Sequence, residues 1–220
     1  MNFSADAALF SVLRLRMIES QLRARGFADE RVLGAMTRVP RHEFTPSHLR
    51  NQAYEDHPLP IGEGQTISQP YIVALMLEAL ALRPTDKVLE VGTGSGYVTA
   101  LLSELVAQVY SVERHATLVG EARELLSRLG YANVEVMVGD GSEGFAPSAP
   151  YDAIIVSAAA PEVPRALLAQ LAEQGRMIIP VGPADSQQLQ LIRMQNGQPQ
   201  VTWRETCRFV PLVPGLGLRS

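Results

Sequence analysis

From Lys87 onward, short apolar runs alternate with amphipathic stretches, and this rhythm limits the chain to very few folds. "KVLEV" at 87–91 reads as a strand, about Tyr97 to Val106 as a helix, "VYSV" at 109–112 as a strand, about Ala116 to Leu129 as a helix, and "VEVMV" at 134–138 as a strand. "DAIIVS" at 152–157, a helix over about Val163 to Ala172 and the strand "RMIIPV" at 176–181 complete the series. Strand–helix–strand units with right-handed crossovers build a parallel sheet covered on both faces. The ending breaks the rhythm: "QLQLIRM" and "VTWRETCRFV" flank "QNGQPQ", in which Asn196-Gly197 is a hairpin turn signal. The chain is therefore expected to be α/β, with a mostly parallel sheet that closes on antiparallel strands.

The part before Lys87 reads differently. "ALFSVLRLRMIESQLRARG" carries apolar Leu9, Val12, Leu13, Met17, Ile18 and Leu22 at helical spacing and ends on Gly26. A second helix is expected from about Asp29, as cap, to Thr37, with Val32, Leu33 and Met36 on one face, and Pro40 stops it. "VPRHEFTPSHLRNQAYEDHPLPIGEGQ" is rich in proline and glycine and reads as a long, mostly irregular crossing. Phe44 and Tyr54 within it favour an ordered segment, and ordered segments of this length in compact domains are usually functional.

Composition narrows the function. With 46% hydrophobic and 19% charged residues the chain is an ordinary globular one, and its net charge of -4 disfavours a partner held mainly through phosphates. No nucleic acid is expected. Apolar runs are interrupted well short of a bilayer span, so no membrane association is expected either. The lone Cys207 forms no internal disulfide, and with no secretory leader pattern a cytoplasmic location is expected. His42, His48, His57 and His115 are not paired at ligand spacing, so no metal is expected.

In an open parallel sheet the ligand crevice lies beyond the carboxyl ends of the strands. After the first strand comes "EVGTGSGY", where Gly92, Gly94 and Gly96 let the backbone turn tightly and approach a ligand at a helix start. The spacing is Gly-x-Gly-x-Gly, not the Gly-x-Gly-x-x-Gly of nicotinamide-binding folds, which disfavours a dehydrogenase. Glu113, after the second strand, stands where an acid accepts both ribose hydroxyls of a nucleoside; the alternative is a solvated acid at a helix start beside Arg114. Asp140, in "GDG" after the third strand, is either a tight-turn residue or an acceptor for an adenine amino group. "GQTISQP" at 64–70 precedes the apolar run "YIVALMLEALAL". Ser68 or Gln69 there would cap a helix whose first turn holds Pro70, which leaves Gln65 and Thr66 unexplained.

The three strand ends, in this order and at these separations, resemble the S-adenosylmethionine-dependent methyltransferases of the Rossmann-like class. With "PIGEGQTISQPY", "APYDAIIVSAAAPEVP", "IIPVG" and "RFVPLVPG" added, the chain resembles the protein-L-isoaspartate O-methyltransferase family from about Met17 to its end. The resemblance implies a Rossmann-like methyltransferase sheet, mostly parallel with antiparallel C-terminal strands and preceded by N-terminal helices. It implies one domain over 1–220: a helical, substrate-side segment at 1–86, a cofactor-binding core at 87–182 and C-terminal strands at 183–220. The implied cofactor is S-adenosyl-L-methionine, with S-adenosyl-L-homocysteine as product. The implied partners are isoaspartyl-containing peptides and proteins, whose free carboxylate is methylated to initiate repair.

Residue by residue, the resemblance implies that Gly92 and Gly94 approach the methionine part of the cofactor with Glu90 nearby, that Glu113 holds the ribose, and that Asp140 and Gly141 meet the adenine. Gln65, Thr66 and Ile67 would line the cofactor, and Ser68 matches the active-site serine. Ala158 to Pro161 would border the isoaspartyl group, and His42 in "VPRHEF" is a structural or substrate-edge residue rather than a base. Two departures stand out: Val213 replaces a threonine that touches the cofactor in some members, and Val98 replaces a glutamine common in bacterial relatives, a change read as helix-face variation. Two rival readings remain. One is a methyltransferase of another substrate, against which "SAAAP" offers no base-stacking aromatic or amide. The other is a cofactor-binding relative that lacks repair activity.

Overall fold

The computed structural model describes residues 3–215; the outermost parts of the domain expected over 1–220 lie outside the described residues. β3 (Lys87–Val91), β4 (Gln108–Glu113), β5 (Val134–Val138), β6 (Tyr151–Val156) and β7 (Leu171–Val181) run parallel, and β8 (Gln187–Gln195) and β9 (Gln198–Cys207) complete the sheet antiparallel. The order is β5-β4-β3-β6-β7-β8-β9, so the chain steps outward from β3 to one side and then returns to its other side at β6. The crevice at that reversal lies beyond the end of β3. Asn196 and Gly197 both have positive φ, 54° and 69°, which the tight turn between β8 and β9 requires.

α4 (Tyr97–Ser103) and α5 (Ala116–Arg128) follow β3 and β4 as expected, but α4 stops early. Its last carbonyls have another donor: Asn133 Nδ2 reaches Ser103 O at 3.1 Å and Val106 O at 3.0 Å, so the turn at 104–106 leaves the helix. α6 is also shorter than its pattern, Arg165–Ala169, because β7 begins at Leu171, opposite Tyr151. There Tyr151 N donates to Gln170 O at 2.8 Å, and strand pairing overrides the helical spacing of the apolar residues.

α1 (Phe3–Met17) continues through a wider π turn at Ile18–Leu22 and a tight turn at Arg23–Arg25 to Gly26, whose φ is 89°. Met17, Ile18 and Leu22 are buried, but Leu9 and Val12 are 50% and 62% exposed, so the six apolar positions do not form one buried face. The change of winding at Ile18 resets the phase between the two halves. α2 (Glu30–Arg38) matches expectation: Asp29 Oδ1 accepts from Arg31 N at 2.9 Å and Val32 N at 3.2 Å, and Val32, Leu33 and Met36 are buried.

The crossing is more regular than its prolines suggest. It contains two 3₁₀ turns, Arg41–Phe44 and Ser47–Gln52, and a small hairpin of β1 (Leu59–Gly62) and β2 (Gln65–Ile67), with Phe44 and Tyr54 buried. Arg41 fixes it to the body: fully buried, its Nε donates to Ala53 O at 2.6 Å and its guanidinium lies 4.9 Å from the centre of the Tyr97 ring.

α3 (Pro70–Leu80) is tied to the sheet by a buried pair. Arg176 in β7 donates to Leu80 O at 2.8 Å and Ala81 O at 3.3 Å, and to Asp86, which also accepts from Arg83 N at 2.8 Å. Burial alone would raise the Asp86 pKa, but these donors outweigh it and hold the carboxyl below its ordinary range. Asp86→Ala leaves Arg176 buried without its partner and should cost about 3–5 kcal/mol at pH 7 in urea unfolding. Because the folded-state carboxyl titrates below the unfolded one at about 3.9, its contribution is complete above that value and is lost as the pH falls through the lower, folded-state value. The gap between wild type and variant should therefore narrow under acid; a gap constant from pH 7 to strong acid would show that ionised Asp86 is not its source.

Candidate active site

The ends of β3, β4 and β6 carry a cleft of about 130 Å³. Gln65, Thr66 and Ile67 of β2 and the following Ser68 wall it on one side, and Gly92 and Gly94 on another; Glu113 and Gly141 complete the set of expected residues on its lining. Glu90 and Asp140 do not reach the lining.

The glycine loop owes its shape to residues without side chains: Gly92, Gly94 and Gly96 have φ of 92°, 54° and 88°. A Cβ on Gly141 would sit 2.4 Å from Val91 Cγ1, so the backbone after β5 can lie against β3 only with glycine there. Glu113 is buried, its Oε2 accepting from Gly94 N at 3.1 Å and its Oε1 from His115 N at 3.0 Å. Two backbone donors thus aim the carboxylate, and each oxygen keeps acceptor capacity. Of the two roles weighed from sequence, the solvated acid at a helix start is excluded: Glu113 is buried and latches the loop to β4, with acceptor capacity left over.

Asp140 is a turn residue in this structure. Its Oδ1 accepts from Ser142 N at 2.9 Å and Ser142 Oγ at 2.6 Å, and its Oδ2 from Gly215 N. Burial pushes its pKa up, but the Ser142 and Gly215 donors outweigh this and lower it. The carboxylate is thereby committed to the turn and to the C-terminal tail.

Glu90 lies beneath the glycine loop, fully buried. Its Oε2 accepts from Thr99 Oγ1 at 2.5 Å and Ser111 Oγ at 2.6 Å, Ser111 Oγ lies 2.6 Å from Thr93 Oγ1, and Oε1 has no partner. Burial pushes the carboxyl up to about 8, against the two hydroxyl donors.

Ser68 does not cap α3. The helix has no side-chain cap from Gln69 or Ser68; instead Asp56, from the crossing, accepts from Tyr71 N at 3.1 Å. The Ser68 side chain makes no hydrogen bond among the described residues and lies on the wall between the cleft and a second, wider groove of about 750 Å³. Ser157, Ala159 and Pro161 border that groove, whereas Ala158 faces the cleft. The segment 210–212 lines both; it is seated by Ala159 N to Val210 O at 2.8 Å and Leu212 N to Ala159 O at 2.7 Å.

Three further residues singled out in the sequence have clear places, and His42 takes the structural one of its two expected roles. Val98 lines the cleft rather than an outer helix face, and Val213 also reaches it while remaining 43% exposed. His42 reaches neither space: it stacks on Phe10, ring centres 4.1 Å apart, and its Nδ1 lies 2.7 Å from the Tyr54 hydroxyl, while burial lowers its pKa. Ser157 and the 210–212 segment lie in stretches that the sequence offers only as family motifs; their place on the wall depends on the pairing with Ala159. Among the described residues no His, Cys, Asp or Glu group suits a metal ion, and no helix is long and apolar enough to cross a membrane.

The family model described as "Protein-L-isoaspartate(D-aspartate) O-methyltransferase" matches residues 14–217. The chain belongs to that family. A protein-L-isoaspartate O-methyltransferase of Koribacter versatilis is 56% identical over 217 residues, covering 99% of this chain and 98% of the relative. One of Methanoculleus marisnigri is 54% identical, covering 93% of each. A solved protein-L-isoaspartate O-methyltransferase superposes with a TM-score of 0.83 at 31% identity over 93% of this chain and 67% of its own. A Plasmodium falciparum structure described as a putative family member, in complex with S-adenosyl-L-homocysteine, gives 0.81 at 29% identity over 91% of this chain and 98% of its own.

The latch at Glu113 is testable without any ligand. Glu113→Ala removes the acceptor of Gly94 N and His115 N, so amide exchange at both positions should rise by about ten- to a hundred-fold, the equivalent of a hydrogen bond to a charged group. Unchanged exchange at Gly94 would show that the loop holds its form without the carboxylate.

Proposed function

We propose that the chain transfers a methyl group from S-adenosylmethionine to the free carboxylate of L-isoaspartyl residues in damaged proteins and peptides, the step that initiates their repair. The observation that carries this reading is the position of Ser68, on the one wall shared by the glycine-loop cleft and the wide groove. A transferase must bring two ligands to a single point from separate sides, and this wall offers that point.

The cleft suits the cofactor. Glu113, aimed by two backbone N–H groups, offers acceptors for a ribose diol, and Gly92 and Gly94 let a ligand approach the backbone. Asp140 enters this proposal only as the residue that holds the turn beside Gly141. S-adenosylmethionine, when bound, supplies a methyl group made electrophilic by the sulfonium.

The chain's own residues do the rest. An α-type carboxyl ionises at about 3.5, so the nucleophile needs no base at neutral pH. Ser68 Oγ–H, without a partner among the described residues, donates to one oxygen of that carboxylate and leaves the other to attack. Val210, Pro211 and Leu212 keep water from the junction. Of the residues lining the wide groove only Arg208 is charged, which suits an anionic peptide group and offers no track for a polyanion. The substrate is therefore a peptide rather than a nucleic acid. A cytoplasmic setting belongs to the same proposal and is supported by the free Cys207 thiol. So does the division at 86/87 and 182/183, which separates the crossing and its helices from the cofactor strands.

Ser68→Ala should reduce turnover by about ten- to a thousand-fold with little change in melting temperature, as for loss of one positioned donor; a variant that melts lower but turns over normally would leave Ser68 a structural role only. Glu113→Ala should weaken S-adenosylhomocysteine binding by about 1.5–3 kcal/mol in calorimetry, and unchanged affinity would remove the ribose assignment. With saturating cofactor, methyl incorporation into an isoaspartyl peptide should be nearly flat from about pH 6 to 8, while the same peptide with normal aspartate stays unlabelled. An inflection near pH 6.5 that disappears in His42→Gln would overturn the base-free mechanism, and equal labelling of both peptides would overturn the substrate.

A further inference from the structure

Glu90 has no part in the reaction as derived, and its surroundings are unusual for a carboxyl. It is fully buried, one oxygen lacks any partner, and the donors at the other are two neutral hydroxyls, from Thr99 and Ser111. No Lys, Arg or His contacts it among the described residues. Its register neighbour on β6 is the buried Ile155, and on β4 it is Ser111. The charged group that acts on it is the Glu113 carboxylate, which is of like sign. A carboxylate so placed is costly, so with the cleft empty the neutral acid is the favoured form. The upward shift to about 8 agrees.

The hydroxyls form a chain to the ligand space. Glu90 Oε2, Ser111 Oγ and Thr93 Oγ1 follow one another at 2.6 Å each, and Thr93 lines the cleft. In the acid, Oε2–H donates to Ser111 and Ser111 donates to Thr93, which leaves Oε1 an unpartnered carbonyl, the least costly group to leave so. In the carboxylate the direction reverses: Thr93 donates to Ser111 and Ser111 to Oε2. One concerted shift interconverts the two forms. The Glu90 proton passes to Ser111, the Ser111 proton to Thr93, and the Thr93 proton to water in the cleft.

We propose that Glu90 is a switchable counter-ion for the cationic cofactor, protonated when the cleft is empty and ionised when a sulfonium occupies it, so that loading the cofactor expels a proton through Ser111 and Thr93. This rests on the cofactor reading above. A positive charge beside the glycine loop supplies the favourable partner that the protein withholds, and once the methyl group has left, the neutral sulfur of the product no longer does. The site therefore holds the cation more firmly than the spent product at pH values where proton release is cheap. Since release is required below about 8, affinity for S-adenosylmethionine should fall by up to about tenfold per pH unit as the pH is lowered from there.

The test is calorimetric titration of the whole protein with S-adenosylmethionine and, separately, S-adenosylhomocysteine, at pH 7 in buffers of different ionisation enthalpy. Wild type should release about one proton with the sulfonium and distinctly less with the thioether, and Glu90→Gln should abolish that difference and flatten the pH dependence of affinity. Both ligands carry the same amino group, so its titration cancels in the comparison. Should Glu90→Gln fail to fold, infrared difference spectra of the wild type answer the same question, because S-adenosylmethionine should remove a buried carboxylic-acid carbonyl band. Equal proton release by the two ligands, or a band that persists, overturns the proposal. Binding with proton release but no methylation of isoaspartyl peptides would sink the substrate reading alone, whereas failure to bind S-adenosylmethionine would sink both.

Discussion

Every feature at the working end depends on the place of β3 between β4 and β6. Parallel strands joined by right-handed crossovers put their connections on opposite faces once the chain reverses its direction of travel through the sheet. The loop after β3 then lacks a covering neighbour and must be closed by something else. Glycines close it from within, and Glu113, reaching across from β4 to Gly94 N, holds it. Burying Glu90 under that loop follows from the same geometry, because its strand position faces α4 and the Thr99 hydroxyl.

The crossing and the tail supply what the sheet lacks. Asp56 takes the first free amide of α3, which leaves the Ser68 hydroxyl uncommitted at a point where a helix start would ordinarily use it. Arg41 sits with its guanidinium over Tyr97 and its Nε bonded to Ala53 O, so the ordered crossing is fastened directly to the helix after the glycine loop. The tail at 210–212 adds the third side of the wall by pairing with Ala159. None of these contacts belongs to the βαβ core, yet each shapes a surface on which a ligand would lie.

Much of this was legible in the sequence because it is local or periodic. The five parallel strands, the closing hairpin and the Asp29 cap follow from spacing and turn chemistry, and the likeness to a methyltransferase family rested on motifs that the comparisons match over nearly the whole chain. What was not legible depends on distant partners. The ends of α4 and α6 fall short of their apolar periodicity because Asn133 and the β6–β7 pairing claim their last residues. The hairpin of β1 and β2 is masked in the sequence by the proline-rich run around it, with Pro60 itself opposite Thr66 in the pairing. The resemblance sets Glu90 and Asp140 beside the cofactor, but no motif shows that the strand points the first at Thr99 and Ser111 or that Ser142 and Gly215 hold the second.

The shared wall between the cleft and the groove has a consequence for how such a chain could be redirected. Its bricks come from the first third of the sequence and from its final residues, while the cofactor strands contribute only the loop after β6. The same two stretches, around β2 and at 210–212, therefore border both spaces. A graft of a different crossing and tail onto the same strands would reshape both spaces that meet at Ser68 at once, while the carboxyl beneath the glycine loop, held by Thr99 and Ser111, would stay as it is.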